Sequence, residues 1–193
     1  PVINAGDGVG EHPTQALLDV FTIHSELPAP PEGANGWAGR CIVMLGDLLH
    51  GRTVHSLARL LALYEGVRLR LVAPAGLGAP GDLLTELRAR GLDVEELGEL
   101  GDEVLAEADV LYVTRIQRER FDDEAAYEAV RGSFVVNVAT LSKMKESAVV
   151  MHPLPRVDEI APEVDADPRA AYFRQMANGM YMRMALLDAM LGA

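Results

Sequence analysis

Short apolar runs alternate with longer amphipathic segments along most of the chain, and this alternation constrains the fold more than any other feature of the sequence. Strands of four to six residues separated by helices of about ten predict βαβ units and a parallel sheet. The predicted strands are residues 41–45, 67–72, 94–97, 110–113, 134–138 and 148–151. We therefore predict an α/β fold, a doubly wound parallel sheet flanked by helices.

The predicted helices lie between these strands and at both ends of the chain. They span residues 53–64, 82–90, 102–108, 123–130 and 141–145, with terminal helices at 12–23 and 171–191. The last helix carries five methionines at helical spacing, a pattern typical of core packing. Residues 28–39 are rich in Pro and Gly and predict a linker or long turn.

The charge of the chain limits the partners that it can have. Seventeen Lys and Arg stand against 29 Asp and Glu, a formal net charge of −12, which is the wrong sign for a nucleic-acid-binding protein. Residues 82–128 hold 15 of the acids and only five bases, and we expect those acids on solvated helix faces. An anionic ligand would then depend on the few arginines placed outside such surface helices.

Membrane, secretion and disulfide signals are not visible in the sequence. It has no stretch near the ~20 apolar residues of a membrane helix and no basic segment followed by an apolar run. Cys41 is the single cysteine, which excludes an internal disulfide or a multi-cysteine zinc site and fits a reducing compartment. We predict a cytoplasmic protein with no membrane partner, and a chain that is trimmed because it lacks a starting Met.

Ligands of parallel sheets bind at the carboxyl ends of the strands, so the loops at 47–52, 73–81, 114–120 and 152–156 are the candidate site. Arg52 opens a predicted helix, where backbone N–H groups and the helix dipole favour an anion. Arg115 and Gln117 directly follow a predicted strand. Two guanidinium groups at one rim would suit a ligand with two carboxylates. Salt bridges to the abundant acids explain the same arginines equally well.

Two prolines shape the last of these loops, His-Pro-Leu-Pro-Arg at 152–156. Because proline has no N–H, they leave backbone carbonyls without a local hydrogen-bond donor. Such carbonyls can accept hydrogen bonds from an amino or carbamoyl NH₂ group. His12 and Gln15, three residues apart at a helix start, share one face, which suits a structural or a binding role. The other histidines show no metal-ligand spacing with acids, so we predict no metal site.

The loop at 76–81, Gly-Leu-Gly-Ala-Pro-Gly, matches a dinucleotide-binding fingerprint. Pro80 removes an N–H from the stretch that should hold a pyrophosphate and restricts Ala79. A chance Gly-Pro loop is the better interpretation, and a nucleotide-dependent oxidoreductase is the weakest functional hypothesis.

Four segments resemble the signature segments of aspartate carbamoyltransferases. They are HPTQALLD at 12–19, GDLLHGRTVHSL at 46–57, TRIQRERF at 114–121 and MHPLPRVDEI at 151–160. Their order and spacing agree with the family, and the resemblance covers essentially the whole chain. The first and last segments would also admit ornithine carbamoyltransferases, whereas Arg52, Arg115 and Gln117 favour the aspartate enzyme. The segments are most similar to the catalytic domain of eukaryotic multifunctional pyrimidine-synthesis proteins.

The resemblance implies roles for eight residues and no metal or organic cofactor. Carbamoyl phosphate would be bound by His12, Gln15, Pro153, Leu154 and Pro155. Aspartate would be bound by Arg52, Arg115 and Gln117. His12 would be catalytic, because it would donate a hydrogen bond to the carbonyl oxygen on which negative charge develops when the amine of aspartate attacks.

The sequence departs from the family pattern at the carbamoyl phosphate clamp. In the family, a Ser-x-Arg-Thr motif of a preceding domain and a lysine–serine loop of a neighbouring subunit hold the phosphate. This sequence has no such motif, and its only lysines, Lys143 and Lys145, stand in another context. The resemblance therefore implies a Rossmann-like second domain of a two-domain enzyme, inactive alone and homotrimeric when complete, within a larger multifunctional polypeptide if that subgroup applies.

The expected divisions are a linker helix with its connection (1–35), an aspartate-binding α/β domain (36–168) and a C-terminal return helix (169–193), the N-terminal carbamoyl-phosphate domain being absent. Two other hypotheses remain open: an ornithine or other carbamoyltransferase, and a non-catalytic domain that binds aspartate or a protein partner.

Overall fold

Five parallel strands form a single sheet at the centre of the molecule. The computed structural model describes residues 2–8, 10–30, 32 and 35–192. The strands are β1 (Cys41–Leu45), β2 (Arg68–Val72), β3 (Asp93–Leu97), β4 (Val110–Val113) and β5 (Val149–Met151). Their order across the sheet is β3-β2-β1-β4-β5, and every neighbouring pair is parallel. The predicted α/β class and parallel sheet are confirmed.

Helices cover both faces of this sheet. They are α1 (Pro13–Glu26), α2 (Arg52–Leu61), α3 (Gly81–Ala89), α4 (Asp102–Glu107), α5 (Glu124–Val130), α6 (Val138–Leu141) and α7 (Tyr172–Leu191), with 3₁₀ turns at Arg118–Arg120 and Pro162–Ala166. Strands buried on both faces read as continuous apolar runs, and β1 is buried throughout. Ile42 and Met44 face a core shared with α1, α2 and α3, while Val43 and Leu45 face a core shared with α4 and α6.

The predicted strand at 134–138 does not form. Val136 makes one isolated parallel bridge with Ile160, and the chain then turns into α6. Asn137 caps that helix, because its side chain accepts a hydrogen bond from the backbone N–H of Thr140 while the Thr140 hydroxyl bonds back to the Asn137 N–H. The cap commits residues 138–141 to the helix, so the helix predicted at 141–145 begins and ends earlier than expected.

The sequence predicts that the acids of residues 82–128 lie on helix faces, but some of them lie elsewhere. Asp93, Glu95 and Glu96 lie on β3, at the edge of the sheet. Asp93 and Glu95 form ion pairs with Arg70 of β2, at 3.3 and 3.1 Å. Charged side chains on an edge strand hinder pairing with other chains, so these acids protect the open edge of the sheet.

The two terminal helices, α1 and α7, pack against each other. Asn178 donates a hydrogen bond to Thr22 at 3.0 Å, and Arg174 forms an ion pair with Glu26 at 2.6 Å. A Cβ on Gly179 would lie 3.2 Å from Leu18, so the helices approach closely because that residue has no side chain.

The methionines of α7 do not pack in the core, which corrects the expectation from their spacing. Met176, Met180 and Met184 are 62, 57 and 58% exposed, and Phe173 and Leu187 extend the same exposed surface. We call these five residues the apolar face of α7. An exposed apolar patch of this kind marks a surface for interaction.

Residues 28–39 contain no helix or strand in their described part, in line with the predicted linker. Across residues 2–8, 10–30, 32 and 35–192, no helix combines the length and the apolar character needed to cross a bilayer. The boundaries at 35 and 168 remain predictions.

Candidate active site

A cleft of about 350 Å³ opens at the carboxyl ends of β1 and β4. The strand order reverses direction between these two strands, and ligands of doubly wound sheets bind at such switch points. All eight residues predicted from the sequence line this cleft: His12, Gln15, Arg52, Arg115, Gln117, Pro153, Leu154 and Pro155. The structure therefore brings four distant segments of the chain to one place.

Arg52 is the first residue of α2, a ten-residue helix that begins at the rim of the cleft. Its Nη1 donates a hydrogen bond to the carbonyl oxygen of Gly8 at 2.7 Å. Among the described residues, no carboxylate forms an ion pair with Arg52. Its charge and the helix dipole therefore both favour the binding of an anion at this helix start.

Arg115 lies in the loop after β4 and is paired with Glu119. One guanidinium nitrogen lies 3.1 Å from Glu119 Oε2, and the second contacts Oε1. This hydrogen-bonded pairing raises the pKa of Arg115 and lowers the pKa of Glu119. The salt-bridge interpretation thus describes Arg115 but not Arg52. Because Glu119 is half exposed, the pair sits at the cleft without closing it.

Asp47 connects the loop after β1 to the loop after β4. Its carboxylate is fully buried and accepts hydrogen bonds from the backbone N–H of His50 at 3.0 Å and of Gln117 at 3.4 Å. The segments that carry Arg52 and Gln117 are therefore held to one buried side chain.

His12 precedes the first residue of α1 and is anchored by α2. Its backbone N–H donates to the hydroxyl oxygen of Ser56 at 2.9 Å, and that hydroxyl in turn contacts Glu11. Burial, together with the positive charges of Arg52 and Arg183, lowers the pKa of His12. The ring is therefore neutral at pH 7, and its Nδ1 is buried without a hydrogen-bond partner among the described residues.

The loop at 152–155 lines the cleft. Its shape is fixed by His152, whose Nδ1 accepts from the Leu154 N–H at 2.8 Å and whose Nε2 lies 2.7 Å from Glu159. Leu154 has a φ of +55°, a conformation that non-glycine residues seldom adopt outside functional loops. The carbonyl oxygens of residues 153–155 accept no hydrogen bond from any described residue, so they are free to bind an N–H donor.

Glu159 supports the same loop through its contact with His152. Burial alone would raise its pKa, but hydrogen bonds from His152 and from backbone N–H groups, among them that of Val157, lower it below the ordinary value. An ionised, buried carboxylate therefore organises the chain that follows β5.

Two family models match this sequence. The model described as the Asp/Orn binding domain of aspartate/ornithine carbamoyltransferase matches residues 38–190, and the model for the carbamoyl-P binding domain of the same family matches residues 1–25. The chain belongs to the aspartate/ornithine carbamoyltransferase family.

Relatives within the carbamoyltransferase family match the whole chain. The multifunctional protein CAD of Squalus acanthias is 57% identical over 192 residues, which are 100% of this chain and 8% of that protein. The aspartate carbamoyltransferase catalytic subunit of Thermococcus onnurineus is 53% identical over 192 residues, which are 100% of this chain and 59% of that protein. The match to a multifunctional protein confirms the resemblance drawn from the sequence.

A carbamoyltransferase from Trypanosoma cruzi has the same fold. The crystal structure of its aspartate transcarbamoylase in complex with carbamoyl phosphate and aspartate superposes with a TM-score of 0.86 at 48% identity, over 97% of this chain and 59% of that one. The chain thus spans about 60% or less of the length of these relatives.

Three residues were given no role from the sequence: Glu119, which lines the cleft, and Asp47 and Ser56, which hold the segments around it. Asp47 comes two residues after a predicted strand, which could have marked it as a site residue, and Glu119 lies four residues after Arg115, a spacing that pairs charges on a helical turn. No sequence signal indicated Ser56, because its partner His12 is 44 residues away.

The Gly-rich loop at 76–81 lies outside the cleft. It follows β2, and the Leu77 carbonyl accepts hydrogen bonds from the N–H groups of Leu48 and Leu49, so it supports the loop after β1. Because the chain belongs to the carbamoyltransferase family, the oxidoreductase hypothesis is rejected. Within the described part of the chain, no three His, Cys, Asp or Glu side chains are grouped as a metal site would require.

Proposed function

We propose that this chain is the aspartate-binding half of an aspartate carbamoyltransferase, which converts carbamoyl phosphate and L-aspartate to N-carbamoyl-L-aspartate and phosphate in pyrimidine biosynthesis. One observation carries the proposal: the eight residues expected to bind the two substrates line one cleft of about 350 Å³. Without the family's other domain the chain is expected to be inactive.

His12, Gln15 and the loop at 153–155 form the carbamoyl phosphate side of the site. The neutral imidazole of His12 donates an N–H to the carbamoyl oxygen, where negative charge grows during attack. The free carbonyls of the loop accept hydrogen bonds from the carbamoyl NH₂ and the incoming amine. A new N–C bond forms, the C–O bond to phosphate breaks, and the departing phosphate takes up the proton that the nitrogen loses.

Arg52, Arg115 and Gln117 form the aspartate side. Planar guanidinium groups bind carboxylates through two parallel hydrogen bonds, and aspartate brings two carboxylates. The chain carries a net charge of −12, so arginines gathered at one cleft direct an anionic substrate to that place on an otherwise repulsive surface. Holding both anions in contact supplies much of the rate enhancement.

The carbamoyl-phosphate-binding domain of the family would complete the site. Its model matches only residues 1–25 of this chain, and the cleft contains no Ser-x-Arg-Thr clamp. We propose that this domain packs on the apolar face of α7, where Met176, Met180 and Met184 lie exposed. A homotrimer, a multifunctional parent polypeptide and a cytoplasmic location belong to the same proposal and rest on the family resemblance.

An ornithine carbamoyltransferase is the second candidate, since the matching family model covers both substrates. Ornithine has one carboxylate, so it would leave one of the two cleft arginines without a partner. A non-catalytic aspartate-binding domain is the third candidate, because the phosphate clamp is not in this chain.

Turnover and binding measurements test the proposal. We expect no carbamoyl transfer from the 193-residue chain alone, and transfer to L-aspartate but not to L-ornithine when the chain is joined to the carbamoyl-phosphate-binding domain of the Thermococcus onnurineus relative. The joined protein should sediment as a trimer. Catalysis by the chain alone, or a preference for ornithine, would contradict the proposal, and tight aspartate binding by an inactive joined protein would favour a binding domain.

A further inference from the structure

A buried carboxylate, Asp19, is the centre of a hydrogen-bond network that includes Gln15, a residue that lines the cleft. Its side chain is fully buried. Oδ1 accepts from Gln15 Nε2 at 2.9 Å and from Gln175 Nε2 at 2.7 Å, and Oδ2 accepts from the Tyr112 hydroxyl at 2.8 Å. Burial raises the pKa of Asp19 to about 7, and the same three hydrogen bonds oppose that rise.

The network determines which way two side-chain amides point. An amide has a donor nitrogen on one side and an acceptor oxygen on the other, and Oδ1 of Asp19 can only accept while it faces both glutamines. Each glutamine must therefore turn its nitrogen to Asp19 and its oxygen away. The Gln15 oxygen, which accepts no hydrogen bond from the described residues, is thus left on the side of the cleft that Gln15 lines.

The second amide connects Asp19 to the loop at 152–155. Gln175 Oε1 accepts a hydrogen bond from the backbone N–H of His152 at 2.9 Å. His152, the first residue of this loop, is therefore connected to the Asp19 carboxylate through one side chain of α7.

We propose that Asp19 is a positioning residue of the cleft, holding the Gln15 amide with its oxygen toward the ligand and, through Gln175, fixing the start of the 152–155 loop. The proposal rests on the proposed function where it names the ligand group. An oxygen at Gln15 and the loop carbonyls are all acceptors, and together they select an NH₂ group such as that of carbamoyl phosphate.

A matched pair of substitutions separates this role from simple packing. In Asp19→Asn the Oδ1 can still accept hydrogen bonds from both glutamines, and the new NH₂ can donate to the Tyr112 oxygen. The Tyr112 hydroxyl proton can then turn to Thr53, which is a hydrogen-bond neighbour of Tyr112. In Asp19→Leu the volume is similar but no acceptor remains. A residue that only fills space would tolerate Leu as well as Asn.

Side-chain amide NMR of the 193-residue chain is the first arm of the test. We expect the NH₂ signals of Gln15 and Gln175 to be slow in hydrogen exchange in the parent chain and in Asp19→Asn, and to exchange as solvent-exposed amides in Asp19→Leu. Asp109→Asn is the control, because Asp109 is a buried aspartate whose partners, among them the Cys41 N–H, lie at the amino end of the strands.

If Asp19→Leu does not fold, Gln175→Leu takes its place and should free the His152 N–H while leaving the Gln15 amide protected. In Asp19→Leu, Gln15 and Gln175 amides that stay as protected as in the parent would overturn the proposal; in Gln175→Leu, a His152 N–H that stays as protected as in the parent would do so.

The second arm uses the chain joined to the relative's carbamoyl-phosphate-binding domain. Losing a correctly presented acceptor should raise the KM for carbamoyl phosphate about tenfold or more in Asp19→Leu, with Asp19→Asn within about threefold of the parent. An equal KM in Leu and Asn variants would overturn the positioning role. If the parent joined protein neither reacts nor binds N-(phosphonacetyl)-L-aspartate, the proposed function fails, while the NMR arm still decides the amide orientation.

Discussion

Arg115 already holds a carboxylate, that of Glu119, so the aspartate of the proposed reaction would meet a guanidinium that is oriented and fully charged. The rotamer entropy of a long side chain is spent before the ligand arrives, and the three N–H groups that Glu119 does not bind remain to donate to a second carboxylate. The ion pair is thus compatible with a binding role for Arg115.

Replacing Arg115 tests that role. In the joined protein, Arg115→Ala should raise the KM for aspartate about 100-fold, as expected for loss of a charged hydrogen-bonding partner, with little change for carbamoyl phosphate. Arg115→Lys should recover only part of the loss, because an ammonium has no planar fork. Steady-state kinetics with each substrate varied measures both. Arg118→Ala is the control, since Arg118 is exposed and pairs with Glu124; equal losses for both substrates would indicate a structural ion pair.

Asp19 makes the stability of the chain depend on pH. Its pKa is about 7 when folded, against an ordinary value of 3.8, so folding takes up a proton between those values, and the free energy of unfolding falls as pH rises through that window. Asp19→Asn removes the dependence and should stabilise the chain at pH 8 by up to about 4 kcal/mol, with the difference shrinking toward pH 4. Urea unfolding at pH 5 and pH 8 measures it; an equal difference at both would show that Asp19 does not titrate in this range.

Residues that lie at strand ends could be found from the sequence, and residues that act through distant partners could not. Arg52, Arg115 and the 153–155 loop follow short apolar runs, so the topology of a parallel sheet places them together. Asp19 looks like one more polar residue in an amphipathic helix, because its partners Gln175 and Tyr112 lie 156 and 93 residues away.

At the scale of elements, the strands with clear apolar runs were predicted to within a residue or two, and the error at 134–138 has a local cause. Phe134 to Val138 is as apolar as a strand, but the Asn137–Thr140 capping box stabilises a helix start inside it. Side-chain to backbone hydrogen bonds of this kind compete with strand pairing, and apolar periodicity does not register them.

The contact between α1 and α7 gives a prediction at the same scale. Gly179→Val would place a branched side chain where even a Cβ lies 3.2 Å from Leu18, and overpacking of this kind costs about 1–3 kcal/mol. We expect a lower free energy of unfolding and faster hydrogen exchange in α1. Ala177→Val, at an exposed position of the same helix, is the control for helix propensity; equal destabilisation by the two variants would mean that the close approach is not what matters.

At the scale of the whole molecule, we expect the apolar face of α7 to govern association. The chain alone should self-associate through this face, and Met180→Glu should reduce association without loss of the central sheet, because the side chain is 57% exposed. Light scattering across a concentration series, with circular dichroism for the fold, measures both. Joining the carbamoyl-phosphate-binding domain should suppress the effect of Met180→Glu on association if that domain covers the face. A chain that stays monomeric at all concentrations would contradict this account.

The acids of β3 have a consequence for the aggregation of the protein. Asp93, Glu95 and Glu96 line a strand that pairs on one side only, and their like charges repel the same strand of another molecule. Replacing the three carboxylates with Asn and Gln would remove this repulsion, and the unpaired N–H and C=O groups of the edge would become a template for intermolecular β-sheet. Precipitates of such a variant should therefore be rich in cross-β structure, seeded from an edge that the native charges protect.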